Sequence, residues 1–289
     1  MKVLKPSVNI IGVGKLGLTL AIALKDHVEI KAITAREKKH LAYAQKLVNS
    51  ASALLFPATL PYADITFITT NDDSIANVAS SLTKLSQYKK NAIMVHCSGL
   101  LTSQVLQPLK DLGYSVGSIH PFRSFAKYDP KKTQPLLKNC PCFIEGDSLM
   151  VTKISKLFKK CGAQIYPIKL ETKTKHHLAA VLAANHLITL LLNAQNCLQA
   201  NGLKEKENLA ALINLIESTL NNLKESKSLK EALTGPIIRG DKKTLEQHFS
   251  AIKDSSLQRL YIALSLAALE AAPLAENIKA EIMAKLLMR

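Results

Sequence analysis

The chain has 289 residues, of which 47% are hydrophobic, so the composition supports a sizeable core and argues against global disorder. The formal net charge of +16 comes mostly from scattered lysines, which could attract small anions or simply form a solvated surface. The sequence has no tryptophan and no basic cluster interleaved with aromatic residues, which argues against nucleic-acid binding. Five cysteines without C-x-x-C spacing predict free thiols in a reducing compartment and no metal site.

No stretch of the sequence has the features of a targeting or membrane-spanning segment. The first nine residues include Lys2, Lys5 and Pro6 and lack the apolar core of a signal peptide. The apolar run Leu178–Leu192 contains Asn185 and is shorter than a membrane span requires. We therefore expect a soluble, cytoplasmic protein.

The first predicted element is a buried strand followed by a glycine turn and a helix. Gly12, Gly14 and Gly17 have the spacing G-x-G-x-x-G. The first glycine would allow a tight turn, the second the approach of a pyrophosphate, and the third close packing of the helix on the strand. Lys15 and Leu16 would start the helix and direct its free N–H groups at the phosphates. This stretch predicts a dinucleotide site.

The second predicted strand, residues 28–33, ends at the position that selects the cofactor in such folds. An acidic residue there would hold the ribose hydroxyls of NAD, whereas a cation accommodates the 2′-phosphate of NADP. The chain offers Thr34 and Arg36, and Glu37 follows only afterwards. This order favours NADP over NAD, with Arg36 as a plain surface charge remaining the alternative.

A third strand is predicted at residues 63–70, and a helix follows with Asp73 or Ser74 as its N-cap. Thr70 and Asn71 would then lie at the carboxyl end of the strand, where open α/β sheets bind ligands. Turn and capping chemistry alone is the equal alternative for these two residues.

Histidines follow two of the later strands. The remaining strands are predicted at residues 92–95, 114–119, 141–145 and 163–168. His96 and Ser98 follow the first of these, and His120 follows the second, so their side chains would lie beside the nicotinamide. A structural, hydrogen-bonded histidine is the alternative in both places.

Long helical patterns replace the strands in the second half, and we place the domain boundary between residues 169 and 170. Leu178–Leu198 is apolar nearly all round, which predicts a buried central helix. His177 and Asn185 would lie about 80° apart around its axis, so one broad face could hold both. A core asparagine that satisfies its hydrogen bonds internally is the alternative for Asn185.

Gly235 and Pro236 would break a helix, and a tight loop from Arg239 to Asp241 would follow. Arg239 could bind a carboxylate through two parallel hydrogen bonds. Equally, Asp241 could cap the next helix.

These motifs occur in a specific order along the chain. They are the glycine motif, Asp64–Ile75, Val95–Gly99, Gly117–Phe122, Ile144–Asp147, His177–Asn185 and Ala232–Asp241. In this order they resemble the family that pairs a Rossmann-like NADP-binding domain with a helical domain of unknown function 2520. The resemblance covers nearly the whole chain, and the last motif is its most distinctive part.

The resemblance implies an α/β fold: a Rossmann doubly wound, mainly parallel sheet over residues 1–169, then an all-α domain like that of 6-phosphogluconate dehydrogenase over 170–289. The wider group includes pyrroline-5-carboxylate reductase, deazaflavin-dependent NADP oxidoreductases and β-hydroxyacid dehydrogenases. In these relatives the helical domain commonly dimerises and covers the nicotinamide. The resemblance therefore implies a homodimer formed through residues 170–289.

The implied activity is transfer of a hydride from NADPH to the carbonyl of a small carboxylate, with ketopantoate as the leading substrate. A cyclic imine reductase and a non-catalytic NADP(H)-binding sensor or scaffold are the alternatives. The polar groups facing the substrate would be His120, Lys175, His177 and Asn185, while Ser98 would border the nicotinamide ribose with Thr70 and Asn71.

Two positions depart from the related patterns. The family usually has tyrosine before the helix histidine, where this chain has His176. The β-hydroxyacid dehydrogenases use a helix lysine with an asparagine four residues later, but Ala179 follows Lys175 at that distance.

Overall fold

The computed structural model describes residues 5–48, 52–85, 91–126, 128–129 and 136–288. The chain divides into two compact units, Met1–Asn185 and His186–Arg289. The predicted boundary between residues 169 and 170 falls inside the first unit and remains a prediction.

The first unit contains one sheet, with eight strands in the described part of the chain. They are β1 (Ser7–Ile11), β2 (Glu29–Ala35), β3 (Ser52–Leu55), β4 (Ile65–Ile68), β5 (Ile93–His96), β6 (Ser115–Pro121), β7 (Pro141–Gly146) and β8 (Gln164–Pro167). Their order across the sheet is β3-β2-β1-β4-β5-β6-β7-β8. Neighbouring strands are parallel except that β7 runs antiparallel to β6. This confirms the predicted doubly wound, mainly parallel sheet.

Helices connect the strands and then make up the second unit. The α-helices are α1 (Lys15–Leu24), α2 (Lys38–Leu47), α3 (Asp72–Leu85), α4 (Gln107–Lys110), α5 (Ser148–Lys160), α6 (Lys173–Ala180), α7 (Leu187–Leu198), α8 (Glu205–Glu225), α9 (Leu229–Ala232), α10 (Pro236–Arg239), α11 (Lys242–Ala251), α12 (Ser255–Ala271) and α13 (Glu276–Leu287). Three 3-10 segments (Ser103–Leu106, Leu170–Thr172, Gln199–Asn201) and one π-helical segment (Val181–His186) complete the set in the described residues.

Both faces of the sheet are covered, which explains why its central strands are continuous apolar runs. On one face Phe67 of β4 packs on Phe158 of α5, with their ring centres 6.0 Å apart. On the other face Ile75 and Leu82 of α3 are fully buried. The ends of the central strands are thereby held in fixed positions. The second unit has its own smaller core, which includes Ile237, Leu245, Phe249, Leu269, Ile282 and Leu286.

Two local points of the sequence analysis need correction. The strand β3 was not predicted, because its four residues are only partly buried and lack a strong alternating pattern. The helix α3 begins at Asp72, so neither Asp73 nor Ser74 is the residue before it. Ser74 instead donates a hydrogen bond from its hydroxyl to the Asn71 side chain at 2.7 Å.

The prediction of a buried helix over Leu178–Leu198 was wrong. Leu178, Leu182, Ile188 and Leu192 each keep more than half of their side-chain surface exposed. An all-round apolar pattern shows that a helix needs cover, but it does not say that the same chain provides it.

By length and composition alone, Leu170–Leu198 is also the one helix in the described ranges that could cross a membrane. Lys173, near its start, is buried in an ion pair with Glu145 of β7, a contact that fixes this end of the helix on the sheet.

Candidate functional site

The glycine turn after β1 leaves no room for side chains at two of its positions. Gly12 has φ +97°, a conformation that favours glycine, and its N–H donates to the Thr34 carbonyl at 2.9 Å. The Thr69 hydroxyl donates to the Gly12 carbonyl at 2.6 Å and fixes the turn from the β4 side. A Cβ at Gly17 would lie 2.0 Å from that same carbonyl oxygen. The turn and the helix α1 therefore pack backbone to backbone.

The middle glycine faces open space. A Cβ at Gly14 would meet nothing within 4 Å. Gly14 is the N-cap of α1, no described side chain caps the helix, and its first turn, which starts with Lys15 and Leu16, has no acidic residue. An uncapped helix N-terminus presents free N–H groups and a partial positive charge to an anion. This arrangement fits a phosphate next to Gly14.

A groove of about 450 Å³ opens beside this turn, at the carboxyl ends of β1, β2 and β4. We call it the glycine groove; the residues along it include Gly12, Gly14, Thr34, Arg36, Glu37, His40, Phe56, Thr70, Asn71, Ser74, Asn77 and Ser81. The strand order reverses between β1 and β4, and such switch points are where open α/β sheets bind ligands. The buried hydroxyl oxygens of Thr34 and Thr70 have no hydrogen-bond partner among the described residues.

The predicted cofactor-selecting position lies on the groove. Arg36 is exposed and makes no ion pair with a described residue, whereas Glu37 pairs with Lys39 at 2.7 Å. The hydrogen bond and charge of Lys39 lower the pKa of Glu37. His40, which the sequence analysis did not single out, adds an imidazole to the same wall.

Ser98 does not line the glycine groove. Its hydroxyl oxygen accepts hydrogen bonds from the N–H groups of Leu100 and Leu101, at 3.1 and 2.9 Å. The structure thus places Ser98 as a turn residue after β5. Its neighbour His96 is fully buried, with Nε2 3.1 Å from the Thr102 carbonyl.

A second cavity, of about 230 Å³, brings together three of the predicted residues of the first unit, His120, His177 and Asn185. We call it the histidine pocket; it is lined by His120, Phe122, Arg123, Ser124, His177, Ala180, Val181, Ala183, Ala184 and Asn185. The His120 and His177 rings lie with their centres 6.3 Å apart. The Nδ1 atoms of both rings are buried without a hydrogen-bond partner in the described chain.

Gly99 allows the two histidines to converge. A Cβ at this position would lie 2.8 Å from Cε1 of His120 and 2.8 Å from Nδ1 of His177. Burial, together with the nearby charge of Lys173, lowers the pKa of His120 to about 4. This imidazole is therefore neutral near pH 7.

The sequence analysis missed the buried ion pair behind this pocket. Lys173 Nζ lies 3.2 Å from Oε1 of Glu145, and both side chains are almost completely buried. The Lys173 ammonium also donates to the Ser118 hydroxyl, which in turn donates to Glu145 at 2.5 Å. The signal in the sequence was Glu145 in a strand, because a glutamate that becomes buried there is almost always paired with a buried cation from elsewhere in the chain.

The predicted polar groups of the long helix do not all lie together. Asn185 borders the histidine pocket with His177, but Lys175 is exposed and lies outside it. His176, at the position where the resemblance implies tyrosine, packs its ring on Phe143 with the centres 4.5 Å apart.

In the second unit, Asp241 accepts a hydrogen bond from the Thr244 N–H at 3.0 Å and caps α11. Arg239 ends α10 with an exposed side chain. Across the described ranges, no group of three or more His, Cys, Asp or Glu side chains could hold a metal ion.

Comparison with known proteins agrees with this class of fold. Residues 1–121 match the Rossmann-like domain, and residues 140–268 match the domain of unknown function DUF2520. The chain therefore contains both domains, in the order that its motifs indicated. No curated protein matches the chain.

Solved structures show the same fold over almost the whole chain. A protein of Bacteroides fragilis called an NADP oxidoreductase shares 24% identity and has a TM-score of 0.73, with 92% of this chain and 98% of that chain covered. A protein of Thermotoga maritima shares 26% identity at a TM-score of 0.69, with the same coverage. Pyrroline carboxylate reductase of Plasmodium falciparum with NADP bound shares 15% identity, has a TM-score of 0.54, and is covered over 97% of its length and 96% of this one.

Proposed function

We propose that this protein is an NADP-dependent oxidoreductase that reduces the C=O or C=N group of a small carboxylate. The observation that carries the proposal is the uncapped N-terminus of α1 next to Gly14, at the switch point of the sheet. An anion placed there would accept hydrogen bonds from the free N–H groups and meet the positive end of the helix dipole. The similarity to a reductase with NADP bound supports the same choice.

The glycine groove fits the dinucleotide by its chemistry. Gly12, Gly14 and Gly17, with the N–H groups of Lys15 and Leu16, would hold the pyrophosphate. Arg36 would pair with the 2′-phosphate, since no described residue competes for its guanidinium. The hydroxyls of Thr34 and Thr70, with the Asn71 side chain, would bind sugar or phosphate oxygens. When bound, NADPH supplies the hydride.

The histidine pocket is the proposed substrate site. Its polar atoms converge on a small space, and its walls are otherwise apolar. His120, being neutral, can donate a hydrogen bond to the oxygen or nitrogen that gains negative charge during reduction. Because its pKa is lowered, His120 is not in the protonated form that could transfer a proton near pH 7. His177 is therefore the proposed proton donor, and Asn185 would orient the substrate.

The size and charge of the pocket restrict the substrate. A volume of about 230 Å³ is below that of pockets for drug-sized ligands, so a molecule of a few carbons fits. Arg123 lines the wall and can pair with a carboxylate while its Nη1 donates to the Leu136 carbonyl at 2.7 Å. In the second unit, Arg239 is proposed separately to bind a carboxylate, whereas Asp241 serves as a helix cap.

Ketopantoate is the leading substrate, on the family resemblance alone. The likeness to pyrroline carboxylate reductase favours a cyclic imine as the second candidate. Purified protein is incubated with NADPH and either ketopantoate or pyrroline-5-carboxylate, and the loss of NADPH absorbance is followed. Turnover of only one compound selects between them, and His177→Ala should lower kcat for that compound at least tenfold. Tight NADPH binding without turnover of any keto acid or imine would instead favour a non-catalytic sensor.

The assembly is part of the proposal. The exposed apolar face of α7, defined by Ile188 and Leu192, needs cover in water. A second copy of the chain is the proposed cover, which agrees with the dimers implied by the family resemblance. We also propose that the protein is soluble and cytoplasmic, where NADPH and small carboxylates are available.

A further inference from the structure

The Lys173 ion pair joins four parts of the first unit. Lys173 lies in the first turn of α6, Ser118 on β6 and Glu145 on β7. The N–H of Ser103, in the segment after β5, donates to the same Glu145 oxygen at 2.9 Å. One carboxylate oxygen thus accepts hydrogen bonds from an α-helix, a strand and a 3-10 segment.

Stability alone does not explain such a pair. Burying a lysine and a glutamate costs several kcal/mol per ion, and apolar residues of similar size often give equal or greater stability. The Oε2 atom of Glu145 is also buried with no hydrogen-bond partner among the described residues. The ion pair is therefore better explained by the residues that it holds in place.

Helix geometry connects Lys173 to the histidine pocket. Residues four apart lie on the same side of a helix, so His177 stands one turn above Lys173. Ser118 and His120 have the same two-residue relation on β6, where alternate side chains share a face. The contact between Lys173 and Ser118 therefore holds α6 against β6, and these two elements carry His177 and His120.

We propose that Lys173 is the positioning residue of the histidine pocket, docking the first turn of α6 so that His177 faces His120. This inference depends on the proposed function in one respect, which is that the histidine pocket receives the substrate. Lys173 does not line the pocket and acts on the substrate through the two histidines.

The charge of Lys173 acts in the same direction. It helps burial to lower the pKa of His120, so a neutral imidazole faces the pocket. The titratable and charged groups that act on His120 are Lys173, His177 and His176 on α6, and Arg123 lines the same pocket. Of these groups, the Lys173 ammonium lowers the pKa of His120 the most.

The test removes both charges together, because one partner left alone would be a buried unpaired charge. In Lys173→Met/Glu145→Gln the Gln oxygen can still accept from Ser103 and Ser118. We expect a folded protein in which the NMR titration midpoint of His120 rises by about one pH unit or more. The NOE between the His120 and His177 rings should weaken. If the proposed function holds, kcat should fall at least tenfold with less effect on KM.

The control is Lys110→Met, which breaks the exposed Lys110–Asp147 pair and should change neither the His120 midpoint nor the NOE. A folded double variant with both signals unchanged would overturn the proposal, whatever the protein catalyses. If the double variant does not fold, Ser118→Ala loosens the docking with both charges kept. In Ser118→Ala the NOE between the His120 and His177 rings should still weaken, and an unchanged NOE would contradict the proposal.

Discussion

Arg36 is exposed on the wall of the glycine groove, with no ion-pair partner among the described residues, while its neighbour Glu37 is paired with Lys39. The acidic residue nearest the cofactor-selecting position is thus engaged elsewhere. This difference between two adjacent charges is the structural basis for the proposed preference for NADP.

Replacing Arg36 by alanine should therefore weaken NADP binding and leave NAD binding unchanged. Loss of a charged hydrogen bond is worth about 1.5 to 3 kcal/mol, which corresponds to roughly a ten- to hundredfold loss of affinity. Calorimetric titrations with NADP and NAD measure both values, and Arg259→Ala in the second unit is the matched control. An equal loss for the two dinucleotides would remove Arg36 from this role.

His120 should make the stability of the protein depend on pH. Its folded pKa, lowered by burial to about 4, lies below the ordinary value of 6.5. Between these values the unfolded chain binds more protons, so stability falls as the pH decreases from 6.5 towards 4. With about 1.4 kcal/mol per pKa unit, the loss is roughly 3 kcal/mol.

Urea unfolding at pH 7 and pH 4.5 measures this loss. In His120→Asn the decrease between the two pH values should be clearly smaller than in the unchanged chain. Equal decreases in both proteins would show that His120 is not held neutral by the fold.

At the scale of residues, the sequence predicted contacts that follow from a local motif and missed those that do not. Gly12, Gly17 and Thr70 could be placed because a strand, turn and helix in sequence fix their geometry. Lys173 is 28 residues from Glu145 and 55 from Ser118, and no local pattern indicates such a contact.

At the scale of elements, β1, the glycine turn and α1 form one unit in which two glycines have different roles. Gly17→Ala should destabilise the fold, because the new Cβ would lie 2.0 Å from the Gly12 carbonyl oxygen. Gly14→Ala should leave the melting temperature nearly unchanged, since its Cβ would meet nothing within 4 Å. It should nevertheless weaken NADPH binding, because that space lies where the phosphate would approach.

Thermal melts with and without NADPH measure both effects in the same experiment. A Gly14→Ala protein that binds NADPH as well as the unchanged chain would contradict the proposed phosphate position. A Gly17→Ala protein of unchanged stability would contradict the backbone contact itself.

The central strands were predictable, since burial on both faces requires continuous apolar runs. The edge strand β3 was not, because its four residues, Ser52–Leu55, stay partly exposed and lack an alternating apolar pattern. The start of α3 at Asp72 comes before both predicted caps, Asp73 and Ser74, as is usual where several polar residues could cap a helix.

At the scale of the whole molecule, apolar composition predicted the helix over Leu178–Leu198 but not its environment. Ile188 and Leu192, one turn apart on α7, are 58% and 57% exposed. The sequence pattern indicates that the helix needs an apolar neighbour, and the structure shows that the described residues do not provide one. A second copy of the chain is the proposed neighbour.

Sedimentation equilibrium should accordingly give twice the 31.6 kDa mass of one chain. Leu192→Asp places a charge on the apolar face and should shift the protein to monomers, because burying an unpaired carboxylate is unfavourable. Leu229→Asp changes a leucine that is 75% exposed on the short helix α9 and should leave the mass unchanged. A monomer at all concentrations of the unchanged chain would contradict the dimer.

The absence of a side chain at Gly99 has a consequence for any redesign of substrate range. The residue is already the smallest available, and it packs against both histidine rings, so no substitution at Gly99 can give these rings more room. The lining of the histidine pocket includes alanines such as Ala180 and Ala183, where larger residues would only reduce the space. Phe122 is the one bulky apolar ring on the wall, so shortening it is the route by which the protein could be adapted to longer acids.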